Sequence, residues 1–485
     1  MPKACFMEMK KIDDVRFEIE KDIAQGMTTG VRTYMTEHMI KSMKTDRTLQ
    51  QAVNTTTLPG IAGEVLIMPD GHEGYGFPVG GVVAFDEENG IISPGINGFD
   101  IGCGIRIVKT NMIEEEVRPV LGRLLDEMFK NIPSGVGSKF QSGLSTEDLK
   151  RIAEEGVNYL IGRDFGTEDD AKHIEENGSM AGADFDEVSA SAKKRGLHEL
   201  GTLGAGNHFV EIQKIGKVYD KGMAKSYGLF EDQIVVMIHT GSRGFGHQIC
   251  SDYLMRLEEY RRKNNIKIVD PELSYAKIGS KEANSYLYAM HCGINFAFSN
   301  RQIITNSLRK SFENVFGKSS DAMGMDILYD LAHNIIKKEE HVVDGKRMNV
   351  WVHRKGATRA FPKGHKEVPK KYRDVGQPVL IPGSMGTASY VLAGDEGSMK
   401  ETFGSSCHGA GRVMSRHQAI RDIPASKTFG DLSRKGIEIR IRTMKLISEE
   451  AEWAYKDVDE VVSVVEKARI SKIVTKNIPV GVAKG

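Results

Sequence analysis

The sequence predicts an α+β fold: one large mixed β core with flanking helices, running as a single unit over residues 1–485. Three observations predict it. Short runs rich in Val, Ile and Phe recur in both halves of the chain, bounded by glycine loops, as strands bounded by turns are. Longer stretches with apolar residues at helical spacing are interleaved with them. No repeat and no low-complexity linker breaks the pattern, so no internal boundary stands out. With 485 residues, 40% of them hydrophobic and 27% charged, the chain is long and apolar enough for a large core.

The elements follow in order. GGVVAFD (80–86) and GIRIVKTN (104–111) read as strands. Residues of about 117–203 are more helical and charged, and read as an insertion on the β core; RPVLGRLLDEMFKNI (118–132) is its clearest amphipathic helix. NHFVEIQKI (207–215) alternates as a strand does. IVVMIHTGSRGFGHQ (234–248) reads as a buried strand ending at His239, then a glycine loop. Helices are expected at 249–263, at roughly 281–316, and over DILYDLAHNIIKKEE (326–340), which carries His333. HVVDGKRMNVWVH (341–353) reads as a hairpin turning at Asp-Gly. VLIPGSMGTASYVLAG (379–394) reads as strand, turn, strand, and a helix and a strand close the chain.

Lys+Arg and Asp+Glu each number 66, so nucleic-acid binding must use a local patch and not the field of the whole molecule. Five cysteines without a CxxC argue against a disulfide framework or a zinc ribbon and for a reducing compartment. The start, MPKACFMEMKK, has no apolar core of a signal peptide, and no run reaches the roughly 18 apolar residues of a membrane span. A cytoplasmic protein without a membrane partner is expected.

Glycine numbers 52, well above the roughly 7% usual in globular chains, and the excess clusters beside histidines. GFDIGCGIR (98–106) sets Asp100 and Cys103 on a glycine turn, where a carboxylate and a thiolate can share a soft metal ion. GNHFVEI offers His208, IHTGSRG His239 and AHNII His333. Buried imidazoles need partners, and one metal site would satisfy all three. One Asp, one Cys and three His exceed the four ligands of a closed zinc site, which suggests two metals. PDGHEGYGFPVGG (69–81) holds Asp70 and His72 in a turn-rich loop. PGSMGTAS (382–389) and CHGAGR (407–412) are small-residue loops whose amides suit phosphate, although neither is a Walker loop. From residues alone, His408 stays open among a core residue, a metal ligand, a proton shuttle and a nucleophile. Residues 352–374 carry eight Lys/Arg, with Phe361 and Tyr372 interleaved to stack on bases, which suits an RNA backbone. HExxH, zinc-deaminase and GxSxG signatures are absent.

Eight motifs occur in one order: MPDGHEGYGFPVGG, SPGINGFDIGCG, LGAGNHFVEI, HTGSRGFGHQ, AHNI, VHRKGATRAFP, IPGSMGTASYVL and SSCHGAGR. In that order they resemble the RtcB family of RNA ligases, in its longer archaeal and eukaryotic form, from about Lys11 to AKG at the end. The resemblance implies a GTP-dependent ligase that joins RNA ending in a 2′,3′-cyclic phosphate or 3′-phosphate to RNA with a 5′-hydroxyl, in tRNA splicing or RNA repair. It implies two Mn²⁺ ions on Asp100, Cys103, His208, His239 and His333, with Cys103 as the bridge. It selects His408 as the nucleophile that takes GMP from GTP. It assigns Asn207, Glu211, Asn334, Ser384, Ser389, Gly409, Ala410, Gly411, Tyr455 and Lys484 to the GTP pocket, and Asp70, Arg243 and Arg412 to RNA or phosphate. Lys484, as the penultimate residue, then requires the tail to fold back into the site. tRNA halves or broken RNA ends would be the substrates, and archease an activating partner. The competing readings are a metal-dependent cyclic phosphoesterase without a His408 adduct, and a non-catalytic RNA-binding protein.

Overall fold

A computed structural model describes residues 8–43, 46–135, 137–140 and 143–485. Cys5 and most of the N-terminal stretch quoted above lie outside them. The mixed α+β class is as expected, with the strands divided between two large sheets. Seven strands form the first, in the order Lys10–Lys11, Arg16–Ile19, Val31–Tyr34, Ile61–His72, Val79–Asp86, Lys346–Lys355 and Asn334–Val343. The second runs Ile327–Ala332, Gly104–Ile113, Gln233–Thr240, Phe209–Val218, Ser471–Lys484, Ser389–Gly394 and Pro378–Ile381, with Glu438–Ile441 attached in parallel to Ser471–Lys484.

Alternation along Gln233–Thr240 sets both faces of the second sheet. Ile234, Val236 and Ile238 pack against Leu121, Leu124, Leu125 and Met128 of the helix Leu121–Asn131 and against Ile304, Leu308 and Phe312 of the helix Lys281–Phe316. Val235 and Met237 face the other way, into a cluster with Phe209, Leu380, Val391 and Val474. His239 continues that second face and meets the Phe209 ring edge-on at 5.6 Å. Truncating one buried leucine of this packing costs about 2–5 kcal/mol, so the sheet is a stiff platform for the residues at its end. Between Ile113 and Phe209 the described residues form helices and no strand of either sheet.

The hairpin at 341–353 forms as expected, with Asp344 and Gly345 both at positive φ (49° and 77°), the pattern of a type I′ turn. Two expectations are corrected. Residues 326–340 are not a helix: Ile327–Ala332 and Asn334–Val343 are strands in different sheets, and His333 is the hinge between them. Ile327–Ala332 is buried on both faces, and a continuous apolar run of that kind satisfies helical spacing without being helical. The glycine loop after His239 is also shorter than expected, because the helix begins at Arg243 and not at 249. Its early glycines serve packing: a Cβ at Gly246 would lie 3.1 Å from Ile101 Cβ and closer still to Ser242. Among the described residues no helix is long and apolar enough to cross a membrane.

Candidate active site

One end of the second sheet gathers the predicted donors. Cys103 precedes the strand Gly104–Ile113, His208 precedes Phe209–Val218, His239 lies near the end of Gln233–Thr240, and His333 links the two sheets. Cys103, His239 and His333 bring ligand atoms within 4.8 Å of one another, and so do Asp100, Cys103 and His208; Cys103 belongs to both groups. Its Sγ lies 3.4 Å from His208 Nε2 and 3.5 Å from His239 Nε2, and His208 Nε2 lies 3.1 Å from Asp100 Oδ2.

A buried cation network fixes these loops. Arg301, in the middle of the long helix, donates Nη1 to Gly102 O (3.0 Å) and Thr240 O (2.8 Å), next to Cys103 and His239. Its other nitrogens grip Asp330, which also accepts from Arg106 at 2.7 Å. All three side chains are fully buried, so removing one partner would strand a charge at a cost of about 3–5 kcal/mol. The backbone adds a further tie, from His333 N to Cys103 O at 2.8 Å. Gly241 is needed where the chain passes Asp100, because a Cβ there would meet Asp100 Oδ1 at 2.5 Å.

The donor chemistry fits a metal. Burial pushes His208, His239 and His333 below the ordinary imidazole value, which keeps them neutral as ligands must be. His208 has two satisfied tautomers. With the proton on Nε2 it donates to Asp100, and Nδ1 accepts from Arg243 Nη1 at 3.3 Å. With the proton on Nδ1 it donates to Leu203 O at 3.2 Å and turns an Nε2 lone pair toward Cys103, the form a ligand needs. His333 Nδ1 is buried and has no hydrogen-bond partner among the described residues. Burial opposes ionisation of Asp100, but His208 and Arg243 hold its carboxyl down at about 2. Burial, reinforced by Asp100, pushes the Cys103 thiol well up; a bound cation is what would make its thiolate the stable form.

His408 stands beside this cluster, its ring 5.0 Å from that of His333. Asp70, at the end of the long strand Ile61–His72 and not in a loop, lies fully buried behind it. Asp70 Oδ2 accepts from the backbone N–H of His408 (2.9 Å) and Gly409 (3.2 Å) and touches His408 Nδ1. Burial alone would raise the Asp70 pKa, but His408 draws it below the ordinary value. A carboxylate against Nδ1 favours the tautomer with its proton there and the lone pair on Nε2. Gly411 (φ 75°) lets the loop close over Asp70, since a Cβ would meet Asp70 O at 2.2 Å.

A cavity of about 290 Å³ opens in front of His408. Asp100, Cys103, His239 and His333 line it, with Asn207, Glu211, Asn334, Ser384, Gly409, Ala410, Gly411, Arg412, Tyr455 and Lys484. His208, Asp70, Arg243 and Ser389 stand behind this wall. Ser389 Oγ ties Gln213 Nε2 (3.0 Å) to Gly383 N (3.1 Å). Asn334 ties the chain at Asp100 to the chain at Gly356, donating to Asp100 O and accepting from Gly356 N, each at 2.9 Å. Arg412 is committed to protein partners: Met414 O, Glu449 O, Glu450 and the Tyr455 hydroxyl. The tail does fold into the wall, as the strand Ser471–Lys484, with Lys484 paired opposite Phe209.

Sequence reasoning missed Glu450. It is buried, accepts from Tyr455 OH (2.5 Å) and Lys484 Nζ (3.2 Å), and pairs with Arg412. No motif marks it; only the tail's arrival makes it part of the wall. Stacking of bases on Phe361 and Tyr372 is a second correction. Both rings are buried, and so are Arg354, Lys355 and Arg359, because residues 350–361 are mostly strand inside the molecule. Only the later part of the basic stretch faces solvent.

The family described as tRNA-splicing ligase RtcB matches residues 51–485. Among curated proteins, the chain is 53% identical over 477 residues to the tRNA-splicing ligase RtcB of Thermococcus kodakarensis, covering 98% of this chain and 99% of the relative. It is 49% identical over 477 residues to the protein of the same description from Archaeoglobus fulgidus, with the same coverage. The relative from Pyrobaculum aerophilum is 48% identical over 480 residues, again 98% and 99% covered.

Proposed function

The chain belongs to the RtcB family of tRNA-splicing ligases, and from that premise and the cavity's chemistry we propose that it joins RNA 2′,3′-cyclic phosphate or 3′-phosphate ends to 5′-hydroxyl ends through a GMP–His408 intermediate. The observation that carries the reading is His408 itself, a cavity-facing imidazole whose Nδ1 is held by Asp70 while the ring abuts the Cys/His/Asp cluster. The enzyme is an RNA ligase; GTP, manganese, tRNA halves or broken ends, and an archease-type activator belong to this proposal.

In the proposed sequence, His408 Nε2 attacks the α-phosphorus of GTP; an N–P bond forms and pyrophosphate leaves. An oxygen of the RNA 3′-phosphate then attacks that phosphorus, the N–P bond breaks, and GMP caps the RNA end. The 5′-hydroxyl attacks the 3′ phosphorus, loses its proton and expels GMP, leaving a phosphodiester. A cyclic end is first opened by water. Asp100, Cys103, His208, His239 and His333 would hold two Mn²⁺ ions, which when bound neutralise phosphate charge and polarise the attacked phosphorus. Asp70 acts as a positioning residue, holding the tautomer that makes Nε2 nucleophilic. Asp70→Asn is expected to slow adduct formation by about 10²–10⁴-fold, with metal content unchanged. An unaltered rate at saturating GTP would remove it from that role.

Guanine selection falls to Glu211, because the ring N1–H and the exocyclic amine both donate and need a carboxylate acceptor. Burial pushes the Glu211 carboxyl up to about 7, against smaller downward pulls from Gln213 and Lys484. GTP affinity is therefore expected to fall about tenfold per pH unit below about 7, as calorimetric titration would read. A flat profile would take Glu211 out of the guanine site. The effect on folding has the opposite sign. The raised value favours the protonated carboxyl in the fold, so this contribution to stability is full below the ordinary 4.5 and lost as pH rises through about 7.

A further inference from the structure

A second cavity, of about 890 Å³, shares no lining residue with the catalytic one. Eight Lys/Arg and four Asp/Glu line it. The acids of its floor are neutralised from within: Arg359 pairs with Glu175 (3.1 Å), Glu176 (3.0 Å) and Glu367 (2.8 Å), and Lys337 also pairs with Glu176. The rim is different. Lys366, Lys370, Lys371 and Arg373 have no carboxylate at ion-pair distance among the described residues, although Lys366, Lys370 and Lys371 are exposed. The three lysines belong to the solvent-facing part of the basic stretch singled out in the sequence.

Their loop is anchored. Tyr372 is buried and donates to Leu328 O at 2.9 Å, while Arg373 Nη2 donates to Lys366 O (2.9 Å) and Val368 O (3.2 Å). Four uncompensated cations spread along a fixed loop suit a repeating polyanion better than a single phosphate, and holding them in advance lowers the ordering cost of binding. Two strands connect the cavities. Gly356 lines the catalytic one and Arg359 the second, three residues further on; Asn334 and Lys337 stand in the same relation. Three residues of extended chain span about 10 Å, so the two cavities are close neighbours.

We propose that this cavity binds the phosphate backbone of the RNA being joined, away from its reacting ends. The inference rests on the RNA-joining reading above, which also decides between RNA and an acidic protein: a strand held by its end next door meets the rim at high effective concentration.

The test uses the full chain loaded with manganese and GTP, a variant with Lys366, Lys370 and Lys371 all changed to Ala, and a control with the same three lysines changed to Arg. Binding of a labelled single-stranded RNA of about 20 nucleotides is followed against salt. The alanine variant should bind about 10–100-fold more weakly at low salt, and its slope of log affinity against log salt should be shallower by about 2–3. Guanylylation of His408 should be unchanged, thermal unfolding likewise, and the arginine control should bind as the parent does. An unchanged slope would overturn the proposal, as would displacement of RNA from the rim by polyglutamate at equal charge. If the parent protein forms the adduct but neither binds nor joins RNA, the RNA-joining reading falls, and this inference with it.

Discussion

His408→Ala is expected to abolish RNA joining, by roughly 10⁴-fold or more, with the metal content of the protein unchanged. The two parts of that result come from different contacts. The variant removes the imidazole lone pair proposed to attack phosphorus, and with it the side chain that Asp70 contacts. The donor groups proposed to hold metal comprise Asp100, Cys103, His208, His239 and His333, and His408 meets them with its ring against that of His333. The variant leaves Asp70 facing a void, so a loss of about 1–3 kcal/mol of stability accompanies it. Joining assays with 3′-phosphate and cyclic-phosphate ends, beside metal analysis, separate these effects. Retained joining would make His408 a bystander. Loss of metal together with joining would make it a ligand.

Cys103→Ser is the second large effect. Cys103 alone belongs to both donor groups, so its removal should take bound manganese from the proposed two ions per chain toward none, whereas His333→Ala should remove only the part held with His239. Serine keeps the size but not the soft, easily ionised donor. Joining should fall with metal occupancy in both variants. Plasma-emission analysis of dialysed protein, with circular dichroism as the control on folding, reads the difference. Full occupancy in Cys103→Ser would mean that the thiolate is not a ligand.

Much of this candidate site is legible in the chain because side chains suited to metals and tight loops leave marks: histidines, a cysteine and an aspartate among clustered glycines. The strand carrying His239 is legible for the same reason, since its alternation fixes which residues share a face. What the sequence hides is set by distant partners. The run around His333 fits helix and buried strand equally, and only the sheets on either side decide. Asp70 reads as a turn residue until His408, 338 positions away, closes on it. Glu450 becomes part of the wall through Lys484, 34 positions on. Composition likewise cannot tell inward cations from outward ones. Arg354 is claimed by Glu339 and Arg359 by Glu175, while Lys366, Lys370 and Lys371 stay in solvent.

The central claim is a covalent GMP on His408, and it is tested most directly by guanylylation. The protein is incubated with α-labelled GTP and Mn²⁺, with archease supplied, and the acid-labile adduct is mapped by peptide mass spectrometry. The account predicts GMP on the peptide containing His408 and on no other. No adduct with metal bound, or an adduct on a different side chain, would contradict it and return the site to a metal-dependent cyclic phosphoesterase.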